Sequence, residues 1–212
     1  MSIVIAVDGT AASGKGTLAK LLARHFSFAH LDSGSLYRLV ALAVIETGVD
    51  AVAAAQAIDL SRTGDAAIRS DLVGRKASEV SAIPEVRAAL FKFQRDFATQ
   101  WPGAVIDGRD IGTVIAPDAT AKLFIDAHPE VRAYRRWLEL AGMGIQRDQA
   151  ELVAELVARD KRDRERPISP MKRADDADLL DTTDLGIDRA FAAALALVEP
   201  KVRAALAAQP RG

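Results

Sequence analysis

The chain has 212 residues, no cysteine, and 28 basic against 29 acidic side chains for a formal net charge of −1. A chain of this length buries its own core without staples, and the lack of thiols excludes disulfides, cysteine–zinc sites and thiol nucleophiles. Balanced charge advertises neither nucleic acid nor an anionic membrane as a partner, and no apolar run nears the roughly 18 residues of a membrane span.

The apolar N-terminal run lacks a basic leader and is too short for a signal peptide, so a soluble, cytoplasmic protein is expected. Short apolar runs predict strands at Ile3–Val7, Phe28–Leu31, Ala104–Ile106, Lys122–Ile125 and Leu179–Leu180 with its flanks. Between them, helical periodicity predicts helices over Lys15–Phe26, Leu36–Thr47, Pro84–Gln100, Pro129–Ala141 and Gln149–Arg164. A last helix, Ile187–Ala208, is expected to be interrupted at Pro200. Alternating strands and helices imply a parallel sheet covered on both faces. Most strands stop at an acidic corner: Asp8, Asp32, Asp107, Asp126 and Asp181. Ligands of open α/β sheets bind outside the carboxyl ends of the strands, so these corners are expected to ring one site, with Asp126 and Asp181 read as caps or turns.

The first corner opens "GTAASGKGT", residues 9–17. Its spacing, Gly9-x4-Gly14-Lys15 followed by Gly16-Thr17, lets the backbone N–H groups of Gly9, Thr10, Ala11, Ala12, Ser13 and Gly14 curl around anionic oxygens. A helix N-terminus adds its dipole. Lys15 supplies a point charge between β- and γ-phosphates and the Thr17 hydroxyl faces Mg²⁺. The expected ligand is a purine nucleoside triphosphate, ATP, with Mg²⁺. "GKGT", in place of Lys followed directly by Ser or Thr, is the form found in kinases of nucleoside monophosphates. The base-reading [Asn/Thr]-Lys-x-Asp of GTP switch proteins is absent.

Further stretches carry a resemblance: "LDSGSLYR" (31–38), "ASEVSAIPEVR" (77–87), "DGRDIGT" (107–113) and "RDKRDRERP" (159–167). With "IAVDGTAASGKGT" they closely resemble the bacterial cytidylate kinase family, from residue 3 to about residue 184. The resemblance implies a three-layer P-loop kinase fold with a five-stranded parallel sheet, a helical acceptor-binding insertion and a short arginine-rich lid. It also implies one kinase domain over 1–212: a core of 1–34, 101–130 and 176–212, an acceptor-binding region of about 35–100 and a lid of about 131–166. The implied activity is transfer of phosphate from ATP to CMP or dCMP by an enzyme expected to act as a monomer. Members of the family commonly carry a β-rich insert after the Arg38 helix. Here residues 39–68 fill that gap with alanine-rich helix and polar turns.

Arg38 and Arg109 can each present a guanidinium fork to the acceptor phosphate, and Ser33 offers a hydroxyl there or a helix cap. Cytosine presents an N4 amine beside the O2 and N3 acceptors; a carboxylate next to a cation reads that edge. The resemblance gives these roles to Asp110 and Arg87, with Ser78 assisting; a plain ion pair of Asp110 with Arg109 or Arg87 stays open. Arg132 sets itself against Arg135 and Arg136, as a solvated stripe or as ligand cations. Arg159, Arg162 and Arg166 are expected to share one face, where their mutual repulsion calls for an anion. By resemblance Arg159 and Arg162 join Lys15 in catalysis, Asp163 meets the acceptor ribose and Arg166 its phosphate.

No general base is expected, because the attacking phosphate oxygen is mostly ionised at neutral pH. His25, His30 and His128 are read as surface or core. Two other readings stay open: a kinase of broader acceptor range that takes UMP, and a nucleotide-dependent RNA-binding ATPase. Near-neutral charge and few aromatics among the basic segments count against the latter.

Overall fold

The computed structural model describes residues 2–208. A five-stranded sheet in the order β2-β3-β1-β4-β5 forms its centre, every pairing parallel. The strands are β1 (Ile3–Gly9), β2 (Ala29–Asp32), β3 (Gly103–Asp107), β4 (Ala121–Asp126) and β5 (Asp178–Asp181). β1 is buried from end to end, and its period-two alternation sorts side chains to two cores. Ile3, Ile5 and Val7 pack under helices α1 (Lys15–Phe26) and α8 (Ile187–Ala207). Val4 and Ala6 join the opposite core with α2 (Ser33–Thr47), α4 (Asp71–Val80) and α5 (Pro84–Phe97). Short α3 (Ala51–Gln56) packs into that second core as well. This is the three-layer arrangement expected from the alternating sequence.

A smaller cluster binds the remaining helices, α6 (Pro129–Gly142) and α7 (Gln149–Glu165), to the turn after β1. Ala11 sits among Ala133, Leu140, Leu152 and Leu156. Because β1 is flanked by β3 on one side and β4 on the other, the chain changes direction at its carboxyl end, where open sheets bind ligands.

Two local expectations need correction, and one helix lies outside them. Pro200 does not interrupt the last helix, which runs unbroken from Ile187 to Ala207. Fully buried Val198 and Val202 flank the proline and hold the turn against the sheet, offsetting one lost backbone bond. Helix α4 has no sequence forecast: Gly74 weakens its local propensity, and it forms because Ser70 caps the Val73 N–H and Val73, Ala77 and Val80 are buried. Helix α2 begins at Ser33 rather than Leu36, with Asp32 as its cap accepting from Ser35 N–H at 3.2 Å.

Candidate active site

The loop after β1 is shaped by what surrounds it. Gly9 has φ +148°, and a Cβ there would meet the Ile125 carbonyl oxygen of β4 at 2.0 Å, so no side chain fits. The chain curls through Ala12 (φ 58°) and Gly14 (φ 90°), both left-handed, before α1 begins. Inside the curl, Ser13 Oγ donates to the Thr10 carbonyl at 3.0 Å and Lys15 Nζ to the same oxygen at 3.3 Å. Thr10 Oγ1 donates to Asp126 Oδ1 at 2.7 Å, so Asp126 ties the loop to β4. No acidic residue occupies the first turn of α1, which leaves its N-terminal dipole free for an anion.

This loop forms one wall of a cavity of about 980 Å³. Asp32, Ser33, Asp107 and Gly108, from the ends of β2 and β3, line it as well. Asp107 lies beside the loop, its Oδ2 3.4 Å from where a Gly16 Cβ would stand, and His30 Nε2 meets its Oδ1 at 2.8 Å. Burial raises the Asp107 carboxyl above its ordinary range, and His30 pulls it back.

A second corner of the cavity is built from Arg87, Asp110 and Arg166, all buried. Arg166 Nη2 donates to Asp110 Oδ1 at 3.2 Å, Arg87 grips Oδ2, and the Arg87 guanidinium lies over the Tyr37 ring at 5.5 Å. Asp110 is thus paired on both oxygens, but with Arg87 and Arg166, and Arg109 turns elsewhere. Its Nε donates to Asp163 Oδ2 at 2.9 Å. Burial works against the Asp163 charge, yet Arg109 and Arg159 hold its carboxyl below the usual range. Ser78 Oγ is buried, faces the same cavity and has no hydrogen-bond partner among the described residues.

Cations crowd the middle of the cavity wall. Burial, and then Arg109, push the Lys15 ammonium down to about 7. Burial and Arg109 together push Arg159 down to about 10, with Asp163 opposing. Arg159 Nε is buried without a hydrogen-bond partner among the described residues. Such a cluster is held at an electrostatic cost that an anion relieves.

Arg38 also lines the cavity, its Nη1 on the Ile68 carbonyl at 2.6 Å. Ser33 is not a cap; its hydroxyl donates to the Asp107 carbonyl at 2.8 Å. Arg166 stands at the Asp110 corner, its guanidinium on that carboxylate. Arg162 is exposed and outside the cavity lining. Arg159 and Asp163 of α7 and Arg166, which caps its end, meet the cavity at i, i+4 and i+7, so Arg159, Arg162 and Arg166 do not share the inward face. Of the five acidic corners, Asp32 and Asp107 line the cavity. Asp8 is buried behind it, and Asp126 and Asp181 face a separate hollow of about 300 Å³.

Arg132 is neither a solvated stripe nor a free cation. Its Nη1 pairs with Asp160 Oδ2 at 2.7 Å and donates to the Ala11 carbonyl at 3.0 Å, while Asp160 Oδ1 accepts from Ala11 N–H at 3.2 Å. The pair therefore clamps the N–H and the carbonyl of one loop residue, Ala11, to α7 and α6. Arg132→Met is expected to cost about 3–5 kcal/mol in a urea melt, because it strands Asp160 as a buried charge. A loss below about 1 kcal/mol would show that the clamp is not stabilising.

The model of the cytidylate kinase family matches residues 5–200 of this chain. The chain belongs to the cytidylate kinase family. A cytidylate kinase of Cereibacter sphaeroides is 54% identical over 199 residues, covering 94% of this chain and 96% of that one. Another, of Afipia carboxidovorans, is 51% identical over 203 residues, covering 93% and 97%. Both alignments run nearly end to end on both chains. Among solved structures, an uncharacterized protein of Eubacterium ventriosum shares the fold with TM-score 0.58 at 17% identity, over 93% of this chain and 99% of that one. A gluconokinase of Sinorhizobium meliloti does so with TM-score 0.52 at 13% identity, over 98% of each chain.

In this cytidylate kinase family member, sequence reasoning missed several cavity residues. Tyr37 supports Arg87, and His30 holds Asp107. At the other side of the phosphate loop, Arg135 donates to the Thr182 and Leu185 carbonyls at 2.6 and 3.3 Å, and Thr182 Oγ1 donates to the Ser13 carbonyl at 2.9 Å. Leu185, Gly186 and Ile187 extend the cavity there. Arg136 also reaches the cavity wall, where Asp71 accepts from it at 2.6 Å and from Arg147 at 2.7 Å, joining α4 to α6. Arg135 and Arg136 were legible as cations at helical spacing and Tyr37 lay inside "LDSGSLYR", whereas Leu185, Gly186 and Ile187 carried no sequence signal.

Proposed function

We propose that this enzyme transfers the γ-phosphoryl group of ATP to CMP or dCMP, giving CDP or dCDP and ADP. One observation carries the reading: a single cavity holds an anion-cradling loop and, separately, a carboxylate bracketed by two arginines. The first grips the donor phosphates. The second reads the cytosine edge, Asp110 accepting from the N4 amine while Arg87 donates to O2 or N3, with the unpartnered Ser78 hydroxyl beside them. Uracil carries an oxygen where cytosine carries the amine, and so faces Asp110 acceptor to acceptor.

The reaction brings two anions together in line. An oxygen of the CMP phosphate attacks the γ-phosphorus, the bond from that phosphorus to the β,γ-bridging oxygen breaks, and ADP leaves with its electron pair. No general base is required. Arg38 and Arg109 hold the acceptor phosphate, Asp163 orients Arg109 and meets the ribose, and Lys15 and Arg159 neutralise charge on the group in flight. Arg166 steadies Asp110 and serves the acceptor side from there. The insert of about 35–100 acts as the acceptor-binding region and the segment of about 131–166 as the lid. Arg162 belongs to that lid, and its exposure makes a catalytic part for it conditional on lid movement. The adenosine end of ATP lies toward Thr182–Ile187.

Hard oxygen donors suit Mg²⁺. Thr17 is exposed at the loop, with Asp32 and Asp107 on the neighbouring wall, while no cluster of three metal-ligating side chains exists among the described residues. This donor set fits an ion that arrives on the triphosphate. Thr17 would hold it, with Asp32 and Asp107 accepting from its waters. When bound it would offset phosphate charge during the transfer.

The test is ADP release from MgATP with CMP, dCMP, UMP and AMP offered in turn. The first two are expected to be taken and AMP refused; equal rates with all four would overturn the acceptor assignment. Binding of MgATP should also draw in protons. With Lys15 near 7 in the empty site, much of it is neutral at pH 8, and the triphosphate restores its charge. Uptake close to one proton per ATP is expected at pH 8, shrinking toward pH 6, measured by calorimetry in buffers of different ionisation enthalpy. Zero uptake at pH 8 would mean that Lys15 is already charged before ATP arrives.

A further inference from the structure

Asp8, the residue just before the phosphate loop, has no part in the roles above. It is 4% exposed, and both of its carboxylate oxygens are committed to one short piece of backbone. Oδ1 accepts from Ile111 N–H at 2.8 Å and Oδ2 from Gly112 N–H at 2.8 Å. These are the first two amides of a single wide turn, Ile111–Ile115, in which the Ala116 N–H reaches back to the Ile111 carbonyl. A turn of this kind leaves its opening amides without backbone partners, and something must accept from them.

A buried carboxylate is a costly acceptor for that purpose. Burial pushes the Asp8 carboxyl up to about 7, against the pull of the Gly112 and Ile111 amides. An aspartate merely filling a cap would sit more cheaply at the surface, as Asp32, Asp50 and Asp59 do in this chain.

What the carboxylate joins gives the reason. On one side it is part of β1, paired with Phe124 of β4, and the next residue is Gly9, the start of the phosphate loop. On the other side, the amide after Asp110 is the one it grips. The turn is also pressed close: a Cβ on Gly112 would lie 3.4 Å from Asp8 Oδ2 and 3.2 Å from Lys122 Cδ of β4. Immediately upstream, Gly108 N–H bonds the Val7 carbonyl at 3.1 Å. The Arg109–Asp110 pair is therefore displayed between two attachments to β1, one backbone and one side chain.

We propose that Asp8 is a positioning residue, whose two-oxygen grip on the Ile111 and Gly112 amides fixes Asp110 and Arg109 relative to the phosphate loop. It thereby sets both the alignment of acceptor with donor and the preference for cytosine. The proposal rests on the reading of Asp110 as the base-reading carboxylate.

Asp8→Asn nearly preserves shape but turns an NH₂ group against one of the two amides. Misplacing reacting groups by about 1 Å costs on the order of 10²-fold in rate. The variant is therefore expected to lose about 10- to 100-fold in kcat with CMP, and its ratio of kcat/KM for CMP over UMP is expected to fall about tenfold. The Kd of a non-hydrolysable ATP analogue should stay within about threefold, since the loop keeps its own contacts to Asp126 and Asp160. A variant that is less stable yet keeps the wild-type CMP-over-UMP ratio within about twofold would reduce Asp8 to a structural residue and overturn the proposal.

Should Asp8→Asn not fold, Gly112→Ala disturbs the same contact from the other side, and the same two outcomes apply. Failure of the wild type to phosphorylate CMP would instead overturn the function itself. Wild-type turnover alongside unchanged discrimination in both variants would overturn only the role of Asp8.

Discussion

Replacing Lys15 by methionine is expected to lower kcat about 10³-fold or more, while the Kd of CMP changes less than about threefold. Methionine keeps most of the stem volume and removes the ammonium, with its charge and its hydrogen bond to the Thr10 carbonyl. Lys15 is tied to the loop through the Thr10 carbonyl at 3.3 Å, so its ammonium is placed before ATP arrives. Its depressed affinity for the proton shows that the empty site already holds it at a cost. That cost is recovered when phosphate charge lies alongside, and most fully when charge moves during transfer. Arg109 and Arg159 cannot substitute, since the first is oriented by Asp163 and the second is fixed on α7. Steady-state ADP release and calorimetric CMP binding separate the two effects. A kcat within tenfold of wild type would move the charge-neutralising role to the arginines.

Asp110→Asn is the second large effect, and it acts on selectivity and stability together. The carboxylate sits between Arg87 and Arg166, with side-chain exposures of 8%, 8% and 6%. Removing its charge leaves two buried guanidinium groups without their counter-ion, a loss of about 3 kcal/mol in a urea melt. For function, the asparagine can present either an oxygen or an NH₂ to the base. It therefore accepts from cytosine N4 less well than a carboxylate but donates to uracil O4. A fall of about 10²-fold in kcat/KM for CMP is expected, with UMP unchanged or improved. ATP-analogue binding should be nearly untouched. A CMP-over-UMP ratio that survives the substitution would return Asp110 to the role of a plain ion-pair partner.

The two predictions differ in how far they were visible before folding. Lys15 announced itself, because Gly9, Gly14 and Lys15 act through backbone geometry within nine residues, directly after a strand and before a helix. Asp110 was found by resemblance to a family motif, with a pair to Arg109 or Arg87 left open. Arg87, 23 residues away, does pair with it, whereas Arg109, its sequence neighbour, goes to Asp163, and the second partner, Arg166, arrives from 56 residues away unforeseen. Arg132 shows the same limit. A cation at helical spacing from two others looked like a surface stripe until Asp160, on another helix, met it in the dark beneath the loop.

What the sequence determined by itself is the order and kind of the buried elements. Continuous apolar runs make strands that can only be covered on both faces, and glycine spacing makes the phosphate loop; both depend on residues that are neighbours along the chain. What the tertiary structure alone decided is the choice of partner for each charge. It also decided that α8 continues through Pro200, that α4 exists, that Arg162 faces solvent, and that Asp8 ties the base-reading turn to β1. Those outcomes depend on desolvation and on contacts between distant segments. Burial sets the strength of every ion pair, and burial is a property of the packed molecule rather than of any stretch of it.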